Sequence, residues 1–223
     1  MRAICAFLCA GAALSAPALG QVVHVGDSTA PWLGFMNVSD LPENGGVYQF
    51  GSPWAIQDLV AVFDDAARTL TLSPNTIGDP NEYWYQGGGG PGAPGNKIME
   101  ASLYQEVSDG SLSGVTVTFE GTILANSFTG AHETVIFIRD FAADYSSFNE
   151  TAIVAAPGAF SISLNTLADP TRHVQWGFRT TGVNVWVTDT EPFGSVVVRT
   201  VPTPGALAVL GLGGLAAARR RRA

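Results

Sequence analysis

The stretch VTVTFEGTIL, residues 115–124, places Val115, Val117, Phe119 and Ile123 on one side and Thr116, Thr118, Glu120 and Thr122 on the other. A period of two sends successive side chains to opposite faces of a strand, so this segment buries one face and needs a second layer to bury it against. The texture recurs along the chain. FSISL alternates Phe160, Ile162 and Leu164 with serines, and ETVIFIRDF, residues 133–141, is apolar on both faces, as suits a central strand. DLVAVFDDAARTLTLSP reads as a hairpin, with Val60 and Val62 on one arm, Leu70 and Leu72 on the other, and Asp64-Asp65 in its turn. Between Gln21 and Thr200 helical periodicity is nearly absent, and Gly, Pro, Asn and Asp punctuate the strands at the spacing of an all-β sandwich. About ten to twelve strands in this span predict one β-sandwich domain of jelly-roll type over residues 21–200.

The ends differ from this middle. MRAICAFLCAGAALSAPALG carries Arg2, an apolar run from Ile4 to Leu14, and small residues at Ala18 and Gly20 before Gln21. That order predicts a secretory signal peptide over residues 1–20; the alternative, an N-terminal anchor helix, is disfavoured by the short run and Pro17. Both cysteines, Cys5 and Cys9, lie inside it, so the mature chain is expected to hold no disulfide and no Cys-bound metal. Residues 21–200 hold nineteen acidic residues, from Asp27 to Glu191, and six basic ones, a formal −13. Nucleic-acid binding needs a basic footprint and is excluded on this balance.

At the other end, VPTPGALAVLGLGGLAAARRRR runs eighteen residues from Val201 without a charge and closes on Arg219, Arg220, Arg221 and Arg222. The run is at the short limit for crossing a bilayer, and the arginines would hold it with the globular part outside. A short motif, a weak hydrophobic helix and a basic cluster in this order resemble the PEP-CTERM sorting signal of Gram-negative bacteria. The resemblance covers residues 201–223. Its Pro-Glu-Pro is here Pro202-Thr203-Pro204, without the glutamate. It implies an exosortase-like processing enzyme as a partner and a membrane-anchored intermediate held by the C-terminal helix. The tail is then removed and the protein is left at the cell surface or outside the cell. An ordinary tail anchor is the alternative.

Catalytic patterns are sparse. Ser28 in GDSTA lacks the glycine of a nucleophile elbow, and His24, His132 and His173 lie too far apart in sequence for a zinc-type cluster. Gln86 to Asn96, QGGGGPGAPGN, lacks the Gly-Lys-Ser/Thr ending and following helix of a phosphate loop, and reads as a flexible surface loop. Asp189 and Glu191 would share a face if they lay on a strand, as a glycosidase pair could; solvated loop residues are the plainer reading. The chain therefore reads as non-enzymatic and without a cofactor. Asp27, Asp58, Asp140, Asp144 and Asp169 near strand ends would suit a structural calcium ion, although no calcium-loop string is present.

The segment RHVQWGFRTTGVNVWVTDT, residues 172–190, reads as two strands around a Thr181-Gly182 turn. Val174, Trp176 and Phe178 then share an apolar face with Val185 and Val187. The other face carries His173, Gln175, Arg179, Asn184, Trp186 and Thr188. A three-residue loop, Thr180 to Gly182, would instead mix polar and apolar groups on both faces. In the first register Trp186 offers an indole to stack on a sugar ring, with Gln175, Arg179 and Asn184 as hydrogen-bonding neighbours. A loop covering that face, the Gly-rich one for example, is the competing reading. Residues 114–198 resemble the β-sandwich of secreted carbohydrate-binding modules in the texture of VTFEGTIL, TVIFIRDFAADY, FSISL and VQWGF. That resemblance implies binding to exopolysaccharide or another glycan. A carbohydrate-active hydrolase or lyase, or a purely structural surface protein, remain the rivals.

Overall fold

The structure is a computed structural model that describes residues 20–203. Twelve strands form two six-stranded sheets. The first is wholly antiparallel, in the order β10 (Phe148–Val154), β9 (His132–Phe141), β12 (His173–Val183), β7 (Lys97–Val107), β2 (Leu33–Asp40) and β3 (Tyr48–Pro53). In the second, β11 (Gly158–Asn165) pairs with one edge of β8 (Thr116–Asn126). The other edge of β8 is shared end to end by β1 (Gln21–His24), which runs parallel to it, and β14 (Val196–Arg199). β5 (Thr69–Leu72) and β4 (Ala61–Asp64) complete this mixed sheet. A small parallel pair, β6 (Thr76–Ile77) and β13 (Val185–Trp186), lies outside both.

The two sheets bury one shared core, so the fold is all-β and sandwich-like. Val117, Phe119 and Ile123 of β8 face inward as their alternation requires, and meet Ile136, Ile138, Trp176 and Phe178 of the antiparallel sheet. Phe119, Phe160 and Phe178 interlock edge to face across the layers, with centroids 5.2 to 6.4 Å apart. β9 is paired on both sides, and Phe137 on its outward face is as fully buried as Ile136 and Ile138 on its inward one, which is why ETVIFIRDF is apolar at its centre on both faces.

Two local expectations are corrected. The hairpin of β4 and β5 is present, but Ala61 and Phe63 are the residues opposite Leu72 and Leu70, while Val62 points outward. Val60 lies before the strand in a left-handed conformation, so the inward set starts one residue later than the sequence suggested. There is also no turn at Thr181-Gly182. β12 continues through Val183, pairing with β7 on one side and with β9 on the other as far as Gly182. Gly182 is there for space: a Cβ would lie 2.1 Å from the His132 ring.

The segments read as signal peptide and sorting tail lie outside the described residues, except Gly20 and Val201 to Thr203. Of the sorting motif, Pro202 and Thr203 are described, and Pro204 and the four arginines are not. Thr203 is tied to the body: its Oγ1 donates to Asp27 Oδ1 at 2.9 Å and its N–H donates to Asp27 Oδ2 at 3.3 Å. Among the described residues no helix is long and apolar enough to cross a membrane.

Candidate functional site

The outward face of the antiparallel sheet is a trough of about 700 Å³. Strand alternation builds it from residues far apart in sequence. On β7, Met99, Ala101 and Leu103 go to the core, so Glu100, Ser102, Tyr104 and Glu106 point out. On β12, Val174, Trp176 and Phe178 go in, leaving His173, Gln175 and Arg179 out. Register then sets the neighbours: Gln175 lies between Glu106 and Arg139, and Arg179 stands opposite Ser102, which stands opposite Phe35.

Gly177 sits among these outward residues, between Tyr104 and Phe137. A Cβ at this position would be 2.1 Å from the Leu103 carbonyl oxygen, so only glycine lets β12 lie this close to β7. The trough floor is left without a side chain there. Phe137 beside it is fully buried beneath the Arg139 guanidinium, 4.3 Å from the ring centroid.

Large aromatic rings stand exposed at the rim: Tyr48 at 59 %, Phe148 at 49 % and Tyr145 at 48 %. Exposed rings grouped around one concavity are the informative exception to apolar burial. Tyr145 adopts φ 57° in the turn between β9 and β10. For a non-glycine residue that conformation persists only when neighbours enforce it. The enforcing contacts are a stack on His173 with centroids 4.4 Å apart, and hydroxyl donation to Glu106 at 3.0 and 3.2 Å. Burial, reinforced by the Glu106 carboxylate, pushes the Tyr145 hydroxyl up to about 12. It stays protonated, and its ring is held as a fixed plate.

The polar groups of the trough are largely bonded to one another. Gln175 donates to Glu106 at 2.6 Å, Arg139 to Glu150 at 2.5 Å, Arg179 to Glu150 at 3.3 Å, and Asn37 to Glu100 at 3.1 Å. Ser102 is the exception: it is 3 % exposed and its Oγ has no hydrogen-bond partner. A buried hydroxyl left without a partner is costly and calls for an explanation.

The four residues expected to form a glycan site do not come together. Gln175 and Arg179 line the trough. Asn184 is 1 % exposed; its Oδ1 accepts from the N–H groups of Asn96 and Lys97, and its amide donates to the Trp84 carbonyl. Trp186 is half-buried and packs on Tyr85 with centroids 5.4 Å apart. The Gly-rich segment is its cover: a Cβ on Gly89 would fall 2.8 Å from the indole, and Gly92 N–H donates to Asp189 Oδ2 at 2.6 Å. The break comes from β12 running straight through Gly182, which places 184 and 186 beyond the sheet. Glu100, Ser102, Tyr104, Arg139 and Tyr145 were not singled out in the sequence. The signal for the first three was present, as the polar half of MEASLYQEV between Met99, Ala101 and Leu103.

Other candidates resolve into structure. Asp189 holds the Gly-rich loop, and Glu191 opens a short 3-10 turn, so the two are not a strand-borne pair. Among the described residues no three His, Cys, Asp or Glu side chains gather to hold a metal ion. Of the aspartates considered for calcium, Asp27, Asp144 and Asp169 accept hydrogen bonds within their own turns, and Asp140 binds Arg172. A second hollow of about 820 Å³ lies by the Gly-rich loop and is walled mainly by Leu41, Pro94, Ile98, Val183 and Phe193.

His132 also lines that hollow. It donates from Nε2 to the Val183 carbonyl at 2.9 Å, and burial holds its imidazole below the ordinary 6.5. Below about pH 6.5 the unfolded chain therefore takes up a proton that the folded chain resists, and stability falls. Hydrogen bonds from Thr29, Ser111, Ser146 and Thr171 hold Asp27, Asp109, Asp144 and Asp169 below 3.8. Their contribution is complete above that value and disappears as the pH falls through their lower folded values. Thermal unfolding is expected to show two acid stages, the first absent in His132→Phe. A midpoint that stays flat from about pH 7 to about pH 4.5 contradicts the assignment to His132.

Comparison of the chain with protein-family models, with curated proteins and with solved structures found no match.

Proposed function

We propose that this chain is an exported, non-enzymatic protein of the cell envelope or extracellular matrix that binds exopolysaccharide in the trough of its antiparallel sheet. The observation that carries the reading is Tyr145: an exposed ring fixed in an unfavourable backbone conformation at the edge of a concavity whose floor holds the unpartnered Ser102 hydroxyl. Sugar rings need an aromatic face for their C–H surface and fixed donors and acceptors for their hydroxyls. The trough offers both within one volume of ligand size. On this reading the sandwich is a jelly-roll relative. Gln175 and Arg179 serve the site, while Trp186 and Asn184 support the Gly-rich loop. The secretory leader would export the chain, and the PEP-CTERM-like tail would hold it at the membrane until an exosortase-like enzyme acts.

The test is binding of the purified chain to immobilised polysaccharides. Tyr145→Ala and Tyr48→Ala should each weaken binding roughly tenfold, the loss of one stacking ring, while Trp186→Ala leaves affinity unchanged. Binding lost only in Trp186→Ala would move the site to the Gly-rich loop. Chain cleavage during incubation would select the carbohydrate-active enzyme instead.

A further inference from the structure

The charges of the trough narrow its ligand, given the glycan-binding reading on which this step rests. Two guanidinium groups, Arg139 and Arg179, face it, and both are already held by carboxylates. Arg139 Nε is 2.5 Å from Glu150, and Arg179 lies 3.3 Å from Glu150 and 3.7 Å from Glu100. The third carboxylate, Glu106, accepts from Gln175 and Tyr145 and lies 3.6 Å from His173. Of these acids Glu100 lines the trough itself, while Glu150 and Glu106 neutralise its lining groups as their bonded partners, in a domain that is itself strongly acidic. A uronate or sulfate would have to displace Glu150 or Glu100 from arginine and then sit beside the displaced carboxylate. Uncharged sugar hydroxyls meet no such conflict: they can donate to the free lone pairs of Glu100 and to Ser102 Oγ, both in the lining.

The placement of the rings sets the direction and length of the ligand. Aromatic side chains stand on five of the six strands: Tyr48 on β3, Phe35 on β2, Tyr104 on β7, Phe141 on β9 and Phe148 on β10. They are therefore distributed across the strands. Every lining residue belongs to the sheet or to the β9–β10 turn, and none comes from beyond the edge strands β3 and β10. Five interstrand spacings amount to about 24 Å across the strands. Register sets Tyr48 level with Val183 and Phe148 level with His173, so the line of rings runs obliquely over the sheet and is longer than that, at least roughly five pyranose units of an extended chain. We infer that the trough takes a neutral glycan, bound through the interior of its chain and laid obliquely over the strands from Tyr48 towards Phe148.

The experiment uses the purified chain with matched probes: hydroxyethylcellulose, galactomannan and dextran as neutral polymers, alginate and dextran sulfate as anionic ones. At least one neutral polymer is expected to bind, with no loss when its reducing ends are converted to alditols. Affinity for its oligomers should keep rising to at least about five units before it levels off. The two anionic polymers should fail to bind. Glu150→Gln should release Arg139, leave Arg179 with Glu100 alone, and create salt-sensitive binding to dextran sulfate, a gain of roughly tenfold or more over the wild type. Binding of the wild type to the anionic polymers alone overturns neutrality and leaves the glycan reading standing. Dependence on a free reducing end overturns the chain-interior mode. Failure of the wild type to bind any polymer in a broad panel overturns the glycan reading itself, and this inference with it.

Discussion

Phe178→Ala is expected to destabilise the domain by about 3–5 kcal/mol, a large share of the 5–15 kcal/mol that holds most domains folded. Phe178 is 1 % exposed and is the contribution of β12 to the cluster with Phe119 and Phe160. Those two rings come from β8 and β11, in the opposite sheet. Truncation therefore opens a void between the layers, where neither backbone can move in to fill it: β12 is fixed by ladders on both sides, and so is β8. Urea unfolding should show a lower midpoint with an unchanged slope, the mark of lost stability without a change in the surface exposed. A loss below about 1.5 kcal/mol would mean that the layers relax around the void and that the three rings are not the centre of the core.

The inward assignment of Phe178 was legible because it depends only on a local period of two, as were those of Phe119 and Ile162. The path of the chain after Arg179 was not. Thr-Thr-Gly carries a hairpin signal, and glycine in a strand pattern has two physical meanings: a turn conformation, or space for a neighbour. At Gly182 the neighbour decides, since the His132 ring and the Ala131 carbonyl occupy the position of its Cβ. Both come from the start of β9, some fifty residues earlier, and nothing in the local sequence announces them. The Gly-rich segment misled in the same way. Its composition suggests flexibility, but Gly89 and Gly95 are small because Trp186 and Asn184 lie against them.

The trough illustrates the larger gap. Gln175 and Arg179 could be assigned to one outward face from β12 alone. Their partners Glu106, Glu150 and Arg139 follow from the order β10-β9-β12-β7, which reverses and skips along the sequence. Local alternation says which residues point outward, and strand order says which of them meet. Only the second piece of information turns scattered polar residues into a site.

Asp140→Ala is expected to cost about 3–5 kcal/mol, because it removes a fully buried carboxylate from a largely buried cation. Asp140 is the one inward-facing acid of β9, with Ile136 and Ile138 before it on the same face, and it is fully buried. Its Oδ1 accepts from Arg172 Nε at 2.7 Å and its Oδ2 from the Leu167 N–H at 2.8 Å, while Arg172 also donates to the Asp140 carbonyl. Leu167 and Arg172 belong to the connection from β11 to β12, the chain's crossing from the mixed sheet to the antiparallel one. One carboxylate thus fastens that crossing to β9. Without it, the guanidinium keeps only its bond to the backbone carbonyl of residue 140 and the Leu167 N–H loses its acceptor, so the desolvation of a largely buried charge is left poorly compensated. The counter-experiment is Asp140→Leu combined with Arg172→Met, which removes the stranded charge as well as its partner. The double variant should be more stable than Asp140→Leu alone, with a coupling of roughly 1–3 kcal/mol in the double-mutant cycle closed by Arg172→Met. Equal losses in the single and double variants, measured by urea unfolding, would show that the aspartate acts through the Leu167 N–H alone and that Arg172 reaches water when it is released.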